Sequence, residues 1–191
     1  RRAGRYQAAQ AALDDAEAIL AEGTYEPART EVRLFQGVGL AHLGEFDAAE
    51  AVLLDALRLA LHWRQARWIR DAAMQLMSVV GTRLAKTDLA DHYGRVAQGL
   101  VEGDPRAEAT LLGIEAHVRM RQGAFAEAEE LYRASLGRLE SLLEADDPDV
   151  IGARSNVVNA MRSQGKFSDA ASELRQILDL RTRVLGPSHP D

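Results

Sequence analysis

The sequence contains no cysteine, which excludes disulfides, a thiol nucleophile and any metal centre built on cysteine ligands. Basic residues are in deficit, 23 against 29 acidic ones, for a formal charge of -6. That balance repels a phosphate backbone and an anionic membrane surface, so neither nucleic acid nor a membrane is an expected partner. Long apolar runs are missing too: nothing approaches the ~20 residues that a membrane span requires. The start carries no signal-peptide pattern. Nor do the five histidines form a metal pair, since no two of them lie three or four residues apart. No glycine-rich phosphate loop follows a strand, and no serine, histidine and acid grouping marks a nucleophile. These absences predict a soluble, cytoplasmic segment with no catalysis, cofactor or metal of its own.

What is present is a repeat. The stretches "GRYQAAQAAL" from Gly4, "GEFDAAEAVL" from Gly44, "AKTDLADHYG" from Ala85, "GAFAEAEELY" from Gly123 and "GKFSDAASEL" from Gly165 align on their first residue, at intervals of 38 to 42 residues. A near-constant period of this length is the signature of stacked helical units. After the turn, Phe46, Ala49, Leu53, Ala56 and Ala60 recur at three- and four-residue steps; before it, Leu34, Val38, Ala41 and Leu43 do much the same. Each unit therefore reads as two helices joined by a tight turn, where glycine supplies the left-handed conformation that ends a helix. Gly37 is expected to face Ala49, and Ala116 to face Ala128, so that the paired backbones approach closely. Prolines fall between units, at Pro27, Pro105, Pro148 and Pro187, where helices start or stop. None lies between Gly44 and Ala85, so "LALHWRQARWIRDAAM" predicts a long or barely interrupted helix.

The residues "GEFDAAEAVLLDALRL" and "GAFAEAEELYRASL" resemble tetratricopeptide repeats. The third unit departs, with Ala85 for the turn glycine and Thr87 for the aromatic, and is expected to be distorted. The last, ending in "LGPSHPD", is similar to the longer-period repeats of kinesin light chains and of bacterial multidomain signalling proteins such as serine/threonine kinases. The resemblance implies an all-α solenoid of antiparallel hairpins, about nine helices in a superhelix. It divides one repeat domain into a half repeat at 1–26, repeats at 27–66, 67–105, 106–146 and 147–186, and at 187–191 the start of a linker to a further repeat. It further implies a piece of a larger signalling protein.

Such repeats present first-helix residues on a concave side that binds a peptide or helix of a partner protein. Carried over by position, that face comprises Glu31, Leu34, Phe35, Val38 and His42 in the second unit, and Gln75, Val79 and Arg83 in the third. His117 and Arg121 follow in the fourth, then Asn156, Asn159 and Arg162 in the fifth. Asn156 matches the asparagine that clamps peptide backbone in related repeats, and an amide can pair with the C=O and N–H of a peptide group at once. The stripe has two arginines, a histidine and two amides but no carboxylate, which implies an acidic peptide. Two other stretches admit blander readings. "HWRQARWIR" can grip an acidic partner, or its indoles can be helix packing and its arginines solvated. "EADDPD" lacks the spacing of a calcium loop and reads as a capped linker. A binding scaffold leads; self-association through exposed terminal helices, or effector sensing in a nucleotide-driven regulator, are the alternatives.

Overall fold

The computed structural model describes residues 10–13, 15–16, 18–20 and 27–185, and the chain divides into two compact units, residues 1–100 and 101–191. In the first unit, helical residues between 10 and 20 precede α1 (Pro27–Leu43), α2 (Phe46–His62), α3 (Ala66–Ser78) and α4 (Thr87–Gln98). The second holds α5 (Pro105–Arg121), α6 (Phe125–Glu140), α7 (Pro148–Ser163) and α8 (Phe167–Leu185). The described residues contain no strand. Gly4, Pro187 and His189 lie outside them.

Three turns are built alike. Gly44, Gly123 and Gly165 take φ of 88°, 79° and 78°. Around each, the following amide closes a six-residue ring: Glu45 N–H donates to Leu40 C=O at 3.0 Å, Ala124 N–H to Arg119 C=O at 3.0 Å, and Lys166 N–H to Met161 C=O at 3.0 Å. Glycine takes that φ without strain because it has no β-carbon to crowd the backbone.

The long helix expected across "LALHWRQARWIRDAAM" is broken. α2 stops at His62, and Arg64 enters the left-handed region at φ 53°. Gln65 N–H then donates to Ala60 C=O at 2.9 Å, the same closure as at the glycine turns. The periodic apolar pattern runs through this stretch, and no glycine or proline marks the break, so the turn is hidden in the sequence. The third unit's distortion takes a definite form: α3 widens into a π-helical turn, Val79–Arg83, and Ala85 adopts φ 54°. Thr82 Oγ1 donates to Ser78 C=O at 2.6 Å inside the wide turn.

Prolines 105 and 148 open α5 and α7, each preceded by a capping aspartate. Asp104 Oδ1 accepts from Ala107 N–H at 3.0 Å, and Asp147 Oδ1 from Asp149 N–H at 2.8 Å. The "EADDPD" stretch is thus a capped linker. The core of the first unit buries Ala49, Leu53, Ala56 and Ala60 along α2. Gly37 packs tightly against Leu53, where a β-carbon would stand 2.6 Å from Leu53 Cγ. In the second unit Ala116 and Ala128 are both fully buried in one cluster with Tyr132, Val158 and Met161.

Candidate functional site

In the second unit, α5 and α7 form two walls over a floor supplied by α6. Arg106, Thr110 and Gly113 line one wall, Asp149, Gly152 and Asn156 the other, and Ser135 and Leu139 lie beneath, around a cleft of about 320 Å³. The spacings 106–110–113 and 149–152–156 are helical three- and four-residue steps, so each helix turns one stripe towards the cleft. Arg106 and Asp149 close one end with an ion pair between the walls. Both side chains are more than half exposed, so that pair orients rather than stabilises.

Asn156 is half-buried, and its amide makes no hydrogen bond with any described residue, leaving donor and acceptor both available. His117 continues the α5 stripe one turn past Gly113, and its Nδ1 lies 2.7 Å from Gly113 C=O. A carbonyl only accepts, so Nδ1 carries the proton and Nε2 is left to a ligand. The imidazole is held edge-on to buried Tyr132, ring centroids 5.2 Å apart. Burial drives the Tyr132 phenol well above its ordinary range, so it stays neutral behind the histidine.

Arg121 is exposed and has no ion pair among the described residues; the same holds of Arg162. The nearby Glu115 is turned to Arg119, 3.7 Å away. Arg121, one turn past His117 on α5, therefore leaves a free positive charge beyond the Asn156 end of the cleft. The residues Asn156, Asn159 and Arg162 do not share one line. Steps of three carry each about 60° round the helix from the last, so Arg162 points about 120° away from Asn156.

The first-unit residues are scattered by comparison. Leu34 and Val79, expected on a binding face, are 5% and 3% exposed and belong to the core. Their periodicity fits either role, and burial decides it. Glu31, Phe35 and His42 are exposed, while Val38 and Gln75 are half-buried. Arg83 is exposed and stacks over the Phe46 ring at 5.4 Å. In the tryptophan stretch, Arg67 covers Trp68 at 4.7 Å and also pairs with Asp71, as does Arg70. Those two arginines are thus engaged within the fold, while Trp63 remains 40% exposed against His62.

Residue-type reasoning misses Thr110, Gly113, Ser135, Asp149 and Gly152. The available signal is two mid-helix glycines where packing does not demand them. Among the described residues there is no cluster of metal ligands and no helix long and apolar enough to cross a membrane.

The family model described as tetratricopeptide repeat matches residues 107–183, the part of the chain that holds the cleft. Among solved structures, BtubC (BKLC) from P. vanneervenii superposes with a TM-score of 0.77 at 16% identity, over 98% of this chain and 77% of that one. A Podosopora anserina protein described as a kinesin light chain with nearly identical TPR-like repeats gives 0.67 at 16% identity, over 95% of this chain and 89% of that one. A single-substitution variant of it gives 0.71 with the same identity and coverage. No curated protein matches the chain. The fold is therefore all-α and of the tetratricopeptide type, as the resemblance implied.

Proposed function

We propose that this chain, a tetratricopeptide-repeat protein of the kinesin-light-chain-like kind, is a protein-interaction scaffold that holds an extended acidic peptide in the α5–α7 cleft. Repeats of this family generally mediate protein–protein contacts. The observation that carries the reading is the half-buried Asn156 amide, unbonded at the rim of a preformed 320 Å³ cleft. Asn156 pairs with a peptide group of the ligand. His117 and Arg121 meet its acidic side chains, Arg121 through a charge-assisted contact. Asn159, about 60° round α7 from Asn156, extends the contact outward; Arg162 meets only a peptide that wraps further round α7, and Arg83 serves the first unit separately. The scaffold acts in the cytoplasm within a larger bacterial signalling protein, without catalysis of its own.

Selection of a random-peptide phage library on the full chain tests this. Enriched peptides should carry acidic residues, and their binding should weaken on Arg121→Ala. Enrichment indifferent to peptide charge would remove the electrostatic half of the reading.

One observation favours self-association as a second reading. On α8, Phe167, Leu174 and Leu178 are 68%, 45% and 62% exposed and fall within about 40° of one another round the helix. Sedimentation over a range of concentrations tests it: a constant monomer mass would discard that reading. The open cleft gives no comparable support to effector sensing, which calls for an enclosed pocket.

A further inference from the structure

We propose that α8 is a docking face for an amphipathic helix of another protein, one with an apolar stripe and acidic edges. None of its residues lines the α5–α7 cleft, so the two sites stand or fall separately.

The chain itself shows what such a face accepts. In three units the aromatic after the turn is followed, seven and eleven residues on, by two more large apolar side chains: Phe46, Leu53 and Leu57 on α2, Phe125, Tyr132 and Leu136 on α6, and Phe167, Leu174 and Leu178 on α8. That spacing holds the three within about 40° of one another round a helix. On the first two helices the next helix covers the triplet. α3 packs on α2 and α7 on α6, which leaves Leu53 and Tyr132 buried and their companions half-buried. On α8 all three are exposed. The triplet is not obligatory in the repeat, since the third unit has Thr87, Gly94 and Gln98 in its place.

The edges of the stripe select the occupant. Four residues after the aromatic, α6 has Glu129, which takes Lys166 from the following hairpin, and α2 has Glu50, which takes Lys86. α8 has Ala171 there, so the acid that receives a following hairpin is gone. Arg175, the counterpart of the Arg133 that pairs with Glu129, is exposed and has no ion pair among the described residues. Arg181 stands where α2 has Ala60 and α6 has Leu139, and it too has no ion pair among them. From the centre of the stripe Arg175 lies about 80° to one side and Arg181 about 40° to the other, whereas Asp179 and Glu173 lie about 120° away on either side. Both edges are therefore cationic. Pairing with a second copy, in either orientation, would bring cationic edge against cationic edge; a helix edged with aspartate or glutamate meets both.

The helix α7 supplies the probe, because it already covers this triplet on α6. A synthetic helix copying Pro148–Ser163, bridged between side chains on its outer face to keep it helical, is compared with the same helix carrying Arg154→Glu. Arg154 pairs with Glu140 on α6, and α8 has Thr182 at that position, beside Arg181. Titrated against the full chain, the Arg154→Glu helix should bind about fivefold more tightly than the unsubstituted one. Leu178→Asp changes an exposed side chain, so the fold should survive while binding weakens tenfold or more. Arg175→Glu together with Arg181→Glu should reverse the preference between the two helices. Equal affinity for both, or no binding by probes that circular dichroism shows to be helical, overturns the proposal. So does a mass that rises with concentration in the wild type and stays monomeric in Leu178→Asp, which assigns the stripe to a second copy.

Discussion

Lys166 Nζ stands 2.7 Å from Glu129 Oε2, and Lys86 Nζ repeats the relationship in the first unit, 2.6 Å from Glu50 Oε2. In each case the acid lies six residues after one turn residue, Gly44 or Gly123, and the lysine directly follows the next, Ala85 or Gly165. The repeat thus carries its own stitch from one hairpin to the following one. Glu129 is the more elaborate case: Arg133 donates to Oε1 from Nε and Nη2, and Gln164 Nε2 to Oε2 at 2.7 Å.

Removing that carboxylate takes the acceptor from Arg133 and Lys166, but both are nearly half exposed and can turn to water, and Gln164 Nε2 keeps the Phe125 and Ala160 carbonyls. Glu129→Ala should therefore cost roughly 1.5–3 kcal/mol, towards the lower end, measured by urea unfolding. Glu50→Ala, which releases only Lys86, should cost less.

The same cluster sets an acid limit. Burial alone would push the Glu129 carboxyl up, but hydrogen bonds from Lys166, Arg133 and Gln164 outweigh it and hold the group below the usual carboxylate range. A depressed folded-state value means that the stabilisation is complete above the unfolded glutamate value of about 4.3 and disappears as pH falls through the folded one. The stability gap between wild type and Glu129→Gln should stay constant near neutrality and narrow below about pH 4.3.

Arg64 and Ala85 occupy left-handed backbone at φ 53° and 54°, where a β-carbon costs roughly 1–2 kcal/mol. Glycine relieves this while losing about 0.5–1 kcal/mol to unfolded-state freedom. Arg64→Gly and Ala85→Gly should each raise the melting temperature slightly. A fall at either would show that its side chain contributes more than its backbone strains.

Glycines inside helices divide by what they face. Gly37→Ala forces a β-carbon against fully buried Leu53, so it should lose about 1–3 kcal/mol despite the better helix propensity of alanine. Gly152→Ala enters open space and should gain about 0.5–1 kcal/mol. Thermal melts of the two variants should move in opposite directions.

The architecture is legible in the sequence because its signals are local. Turn glycines at one period, prolines at helix starts and apolar steps of three and four each report a backbone state that the residue itself imposes. The Arg64 turn is not, because an arginine in left-handed backbone is held there by its surroundings and leaves no mark in composition. That Gly37 meets the Leu53 side chain depends on how far one helix slides along another, which periodicity cannot fix. Leu34 and Val79 read as surface for the same reason. Asn156 is found through its amide chemistry. Gly113 and Gly152 escape notice because a cleft made by missing side chains has no residue type to announce it.

The most direct test of the account is the affinity of a library-selected peptide for the full chain with and without Asn156→Ala, with circular dichroism to confirm that both are folded. Loss of the amide that pairs with the peptide main chain should weaken binding about tenfold, near 1.4 kcal/mol, with the helical signal unchanged. Equal affinity for both proteins would contradict the assignment of the α5–α7 cleft as the binding site.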